Sequence, residues 1–257
     1  RSGWIRTDEP GRADGLQESS NMRALPLLVL GAALLIAGCS GTPGSDGNTL
    51  GGPCAAWNGP ALPLTERYVP LKVGASWTYQ VTSVSAGSYV KQDVVEAYED
   101  AGGAKAGTMA FRLHRDDVPP AYTLSWQQDL GRSVVRLREK NFDNSGALVQ
   151  EIDFDPFKLR LDECPEHTTA GATWAATFTE TDITGSSTST TSKSEQWTVD
   201  GVDVPITVPA GTFTTLNVSR MNPNGKRRQY WFAKGVGKVK EVSDTGVMES
   251  LSAYTVQ

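Results

Sequence analysis

From Tyr68 onward, apolar and polar side chains alternate in short runs. Trp77, Tyr79 and Val81 interleave with Thr78, Gln80 and Thr82, and the same two-residue spacing recurs in Met109/Phe111/Leu113, Tyr122/Leu124/Trp126, Leu148/Ile152/Phe154 and Trp174/Ala176/Phe178. Alternation of this kind puts one set of side chains on each face of an extended chain. Turn residues separate the runs at Gly102-Gly103, Pro119-Pro120, Asn144-Ser145-Gly146, Pro223-Asn224-Gly225 and Thr245-Gly246, and no stretch sustains helical spacing. The pattern predicts an all-β domain over residues 64–257, a predominantly antiparallel curved sheet arranged as a half-barrel or sandwich.

One hairpin can be read to its register. If Asp143 pairs with Gly146 around Asn144-Ser145, Leu137 faces Ile152 and Val135 faces Phe154, while Arg136 meets Asp153 and Arg138 meets Glu151 on the other side. The basic stripe Arg132, Arg136, Arg138, Lys140 then reads as a charge-paired, solvated sheet face rather than an anion site. Val73-Gly74-Ala75-Ser76-Trp77-Thr78 is echoed by Ala170-Gly171-Ala172-Thr173-Trp174-Ala175, which suggests two sheet halves begun alike. Residues 186–194, nearly all Ser and Thr, read as a long polar hairpin loop.

Ahead of this domain the texture changes. Met22 and Arg23 precede an apolar run over residues 25–36, which ends in Leu35-Ile36-Ala37-Gly38-Cys39. That order resembles the signal peptide and lipobox of bacterial lipoproteins. The resemblance implies that residues 22–38 are a signal peptide, that Cys39 is acylated after cleavage, and that residues 1–21 are an over-extended start or leader. The apolar run is shorter than the roughly twenty residues a spanning helix needs. Residues 39–63 are rich in Gly, Ser, Thr and Pro and read as the lipidated cysteine with a flexible tether. Ser40, rather than Asp, follows the lipidated cysteine, which by the same resemblance favours the outer membrane on its periplasmic side.

The charge is mildly acidic, −5 over 257 residues, and gives no electrostatic reason to bind nucleic acid. Three cysteines are an odd number. Assigning Cys39 to lipid leaves Cys54 and Cys164, which could bridge in an oxidising periplasm and stabilise the fold by up to about 4.7 kcal/mol. A zinc set of Cys54, Cys164, His114 and His167 lacks paired ligand spacing, so neither metal nor cofactor is expected.

Tyr68-Val69-Pro70-Leu71-Lys72-Val73-Gly74-Ala75-Ser76-Trp77-Thr78-Tyr79, Val208-Pro209-Ala210-Gly211-Thr212-Phe213 and Tyr230-Trp231-Phe232-Ala233-Lys234-Gly235-Val236-Gly237-Lys238-Val239-Lys240 resemble segments of uncharacterised secreted and lipid-anchored bacterial β-domains. Some of that group look like half-barrels that carry lipids or lipoproteins, and the resemblance implies no catalytic residue. The chain has no GxSxG, SxxK, HExxH, phosphate loop or dinucleotide fingerprint. His114-Arg115-Asp116-Asp117 reads as a strand end running into a turn, and Asp153-Phe154-Asp155 lacks the glycine of a calcium loop. The aromatics are the better lead. Packed between sheets they fill a core, but along a concave sheet Trp77, Tyr79, Trp126, Trp174 and Trp231 would line a pocket for a lipid or other apolar ligand. The expectation is a membrane-anchored, non-catalytic binding or envelope-assembly module, with a carbohydrate-binding β-domain and an unrecognised hydrolase as alternatives.

Overall fold

The structure, a computed structural model, describes residues 59–118 and 120–256, together with the backbone of residues 49–50. Cys39, Cys54, the signal peptide and most of the tether lie outside the described residues. The strands are β1 (Thr49–Leu50), β2 (Ser76–Ser83), β3 (Gly87–Asp100), β4 (Met109–Asp116), β5 (Tyr122–Asp129), β6 (Ser133–Phe142), β7 (Leu148–Asp162), β8 (Thr173–Thr184), β9 (Ser187–Val208), β10 (Gly211–Met221), β11 (Arg227–Ala233), β12 (Gly237–Ser243) and β13 (Met248–Thr255). From β2 onward each strand pairs antiparallel with the next, and β13 pairs back onto β2 through Tyr254↔Trp77 and Glu249↔Val81. The curved all-β sheet expected from the alternation therefore closes on itself as a twelve-strand antiparallel barrel. Closure removes the exposed strand edges that a half-barrel would leave.

Because every strand reverses direction, the connections sort to two ends. At one end, segment 64–72 crosses the barrel as a plug. Arg67 donates through Nε to Glu163 Oε2 (3.0 Å) and through Nη1 to Asp129 Oδ2 (2.5 Å). Glu163 also accepts the backbone N–H groups of Tyr68 and Val69, both at 3.1 Å, and Gly235 N–H donates to the Arg67 carbonyl at 2.8 Å. A Cβ on Gly235, whose φ is +68°, would stand 3.1 Å from the Thr65 carbonyl oxygen, so close approach of the plug requires glycine there. Leu71 joins Trp77, Val95, Leu113 and Val134 in an apolar floor, onto which Val69 packs.

The sequence echo is structural. Gly74 and Gly171 both adopt positive φ, and each N–H bonds to the carbonyl of a residue on the following strand, Val95 in the first case and Val199 in the second. Val95 and Val199 return the bond to Ala75 and Ala172. The two equivalent strands, β2 and β8, begin successive runs of six in the ring, each with a buried tryptophan.

Two expectations need correction. Arg138 pairs with Asp153 and Lys140 with Glu151, two residues out of the predicted register, and Val135 pairs with Leu159. Bulges shift the alternation between Arg136 and Arg138 and between Trp126 and Gln127, so Arg136 leaves the outer stripe and turns inward opposite Gln127 and Lys158. Residues 187–194 are not a loop: they continue β9, paired with β8 from Thr184↔Ser187 to Thr177↔Ser194 around a tight turn at Gly185. Threonine's β-branch favours extended backbone, which suits this polar ladder.

No helix among the described residues is long and apolar enough to cross a membrane. The outward row of β2, Ser76, Thr78, Gln80 and Thr82, is polar, as is Thr177, Thr179 and Thr181 on β8, while β3 and β4 expose Val90, Tyr98 and Met109. We predict that Arg67→Met, which leaves Glu163 buried without its cation, lowers the unfolding free energy in urea by about 3–5 kcal/mol. Adding Glu163→Gln should restore part of it. An unchanged midpoint would mean that the plug does not hold the barrel.

Candidate functional site

A twelve-strand barrel is wider than the eight-strand barrel whose interior side chains just fill, so short aliphatic residues cannot occupy it alone. Here long charged and aromatic side chains project inward. One network runs from Arg115 to Asp93 (3.4 Å), Asp93 to Lys91 (4.0 Å), Lys91 to Glu249 (2.5 Å), Glu249 to Lys238 (2.5 Å) and Lys238 to Glu241 (2.6 Å). Tyr79 lies under both lysines and donates its hydroxyl to the Lys238 carbonyl at 3.0 Å. On the facing wall Arg136 pairs with Glu139, while Glu195 is shared by Lys158 (3.8 Å) and Arg220 (3.5 Å). Arg220 sits over the rings of Trp197 and Tyr230, and Lys158 over Phe154 and Phe178.

Burial alone would raise the carboxylate pKa values, but the surrounding cations win. Lys91 and Arg115 hold Asp93 below its ordinary range, Arg136 and Lys158 do so for Glu139, and Lys238 does so for Glu241 and Glu249. The cations on the facing wall respond oppositely. Burial, with Arg220 adding repulsion, pushes Lys158 down to about 8 against the pull of Glu195. Burial, then Arg136 and Arg115, pushes Arg160 down to about 9, and Arg160 has neither ion pair nor hydrogen bond among the described residues.

Arg160 is aimed by a local irregularity. Val134 pairs with Leu161 and Val135 with Leu159, which leaves Arg160 as the extra residue of a β-bulge. Its side chain reaches a cavity of about 50 Å³ above the apolar floor, lined also by Trp77, Tyr79, Asp93, Arg115, Gln127, Phe232 and Lys238. Near the opposite rim a second hollow of about 330 Å³ is lined by Lys158, Phe178, Glu180, Lys193, Glu195 and the Asn222-Pro223-Asn224 turn.

Of the aromatics singled out from sequence, Trp77 and Tyr79 line the inner cavity, and Trp77 donates to the Val236 carbonyl. Trp174 is fully buried, stacked between His167 (4.1 Å) and Trp197 (6.1 Å). Trp126 donates to Glu99 Oε1 at 3.0 Å beneath Arg138, and Trp231 lies under Lys240. The five are therefore not gathered round one slot. Cys164 is disulfide-bonded, and the other cysteines lie outside the described residues. His114 stacks on Tyr122 beside Glu96, while His167 Nδ1 lies 3.0 Å from Asp162 Oδ2. His167 Nε2 is buried without a hydrogen-bond partner among the described residues, so no hydroxyl is placed for nucleophilic activation there. Sequence reading missed Lys91, Asp93, Lys158, Arg160, Lys238, Glu241 and Glu249. The available signal was parity: Lys91 and Asp93 share the strand face of Tyr89 and Val95.

Folded-state values below the unfolded ones make Asp93, Glu139, Glu241 and Glu249 stabilising above about pH 4, and that contribution is lost as pH falls through their folded values. For Lys158 the sign reverses: the folded protein pays for its charge below about pH 8 and is relieved as pH rises toward the ordinary lysine value. Lys158→Met should therefore raise the thermal midpoint at pH 7 and lose that advantage above about pH 10. A destabilised variant at pH 7 would show that the charge is satisfied. No family model, curated protein or solved structure matches this chain.

Proposed function

We propose that the chain is a bacterial lipoprotein, acylated at Cys39 and held on the periplasmic side of the outer membrane, whose barrel is a non-catalytic binding module with its ligand compartment in the lumen. The lipobox carries the address. The polar outward rows of β2 and β8 fit a peripheral barrel held by its acyl chains, and multiple acylation suffices to anchor it. The Cys164 disulfide fits an oxidising compartment, with Cys54 as its partner once Cys39 bears lipid.

The observation that carries the binding reading is the charged lumen. An acyl chain calls for an apolar pocket of several hundred Å³. The inner cavity is about 50 Å³, too small for an acyl chain, and sets Asp93, Arg115, Gln127, Arg160 and Lys238 against a floor of Leu71, Trp77, Leu113 and Phe232, which supports a small ligand with polar groups. Two experiments test the proposal. Expressed in a bacterial host, Cys39→Ala should accumulate as an unlipidated, uncleaved precursor, and normal processing would overturn the anchor. Native mass spectrometry of gently purified protein should find at most a small polar adduct, whereas a lipid held by the barrel would contradict the assignment of ligand class.

A further inference from the structure

Resting on the lumen as the ligand compartment, we propose that Arg160, together with Arg115 and Gln127, forms a binding site for a small multivalent oxyanion, a phosphoryl or dicarboxylate group. Four observations converge on it. Among the described lumen-lining cations, Arg160 has no carboxylate within 4 Å, although Asp93 and Glu139 lie near enough to feel its charge. Around it Glu139 serves Arg136, and Glu195 serves both Lys158 and Arg220, which leaves this wall with an excess of two positive charges. Arg160 is half-buried and its guanidinium has no ion pair of its own, and a planar donor fork of this kind matches an oxyanion in bidentate fashion.

The bulge at Arg160 is the second observation, since it interrupts the ladder to turn that side chain toward the cavity. The third is the cavity, where Arg115, Gln127, Arg160 and Lys238 supply donors beside Asp93, which Arg115 pairs, above an apolar floor, with room for several waters or one group of phosphate size. Although deep in the barrel, Arg160 keeps part of its surface in contact with water, as a site that exchanges its occupant requires. The fourth is the approach. Lys158, two residues before Arg160 on β7, borders the rim hollow with Lys193, Glu180 and Glu195, so a polar, charge-balanced hollow lies on the rim side of Arg160. Burial and neighbouring cations also depress the Arg160 pKa, which a bound anion would reverse.

The test uses the full chain in detergent at pH 7, titrated with inorganic phosphate, sulfate or succinate at ionic strength held constant with chloride. At least one oxyanion should raise the thermal midpoint saturably. Arg160→Gln should abolish that shift while its ligand-free midpoint stays equal to or above that of the parent, because an uncompensated charge has gone. Should Arg160→Gln not fold, Arg160→Lys, which keeps the charge but loses the fork, should weaken binding by about tenfold or more. Response to phosphate but not succinate assigns a phosphoryl group, and the converse assigns a dicarboxylate. Absence of any anion-specific shift, or a shift that survives Arg160→Gln, overturns the site. A neutral polar adduct found by mass spectrometry alongside that result would leave the luminal compartment standing, whereas a barrel-held lipid would remove both.

Discussion

The return of β13 onto β2 is the contact on which the rest of the molecule depends. It joins residues more than a hundred and sixty positions apart, Tyr79 to Leu251 among them, and turns a meander with two exposed edges into a ring with none. Once the ring is closed at twelve strands, its inner surface is too wide for small aliphatic side chains to fill. The long side chains of arginine, lysine, glutamate, tyrosine and tryptophan then become the packing material. Their charge follows from their reach.

Charge inside a barrel is tolerable only where it is paired. The Lys91–Glu249–Lys238–Glu241 chain meets that condition with separations of 2.5–2.6 Å, and Tyr79 supports it from below. The wall built by β6, β7, β9 and β10 does not, because Glu195 has two cations and Arg160 has no carboxylate within 4 Å among the described residues. A folded chain that retains an unpaired cation beside a cavity has kept a feature that lowers its own stability, and stored instability of this kind clusters at functional sites.

Much of the fold was legible in the residues. Alternation at Trp77/Tyr79/Val81 located β2, Asn144-Ser145-Gly146 marked the β6–β7 turn though Asp143 closes it against Ala147 rather than Gly146, and the glycine–tryptophan echo marked two strand starts with identical hydrogen bonding. What escaped was non-local. Alternation is the same in an open half-barrel and a closed barrel, so nothing near β2 announces β13 as its neighbour. Bulges also invert parity without leaving a composition signal, which is why Arg136 was placed outside although it lies within. The luminal charges were missed for a related reason: Lys91 and Asp93 look solvent-facing until the ring around them is drawn.

The central claim is that an anion completes the luminal charge balance at Arg160. The most direct measurement is a crystal of the barrel soaked in selenate and measured at the selenium edge. An anomalous peak should appear in the cavity within hydrogen-bonding distance of the Arg160 guanidinium and beside Arg115. Selenate found only on the outer wall, with Arg160 instead paired to a carboxylate of the chain, would contradict it.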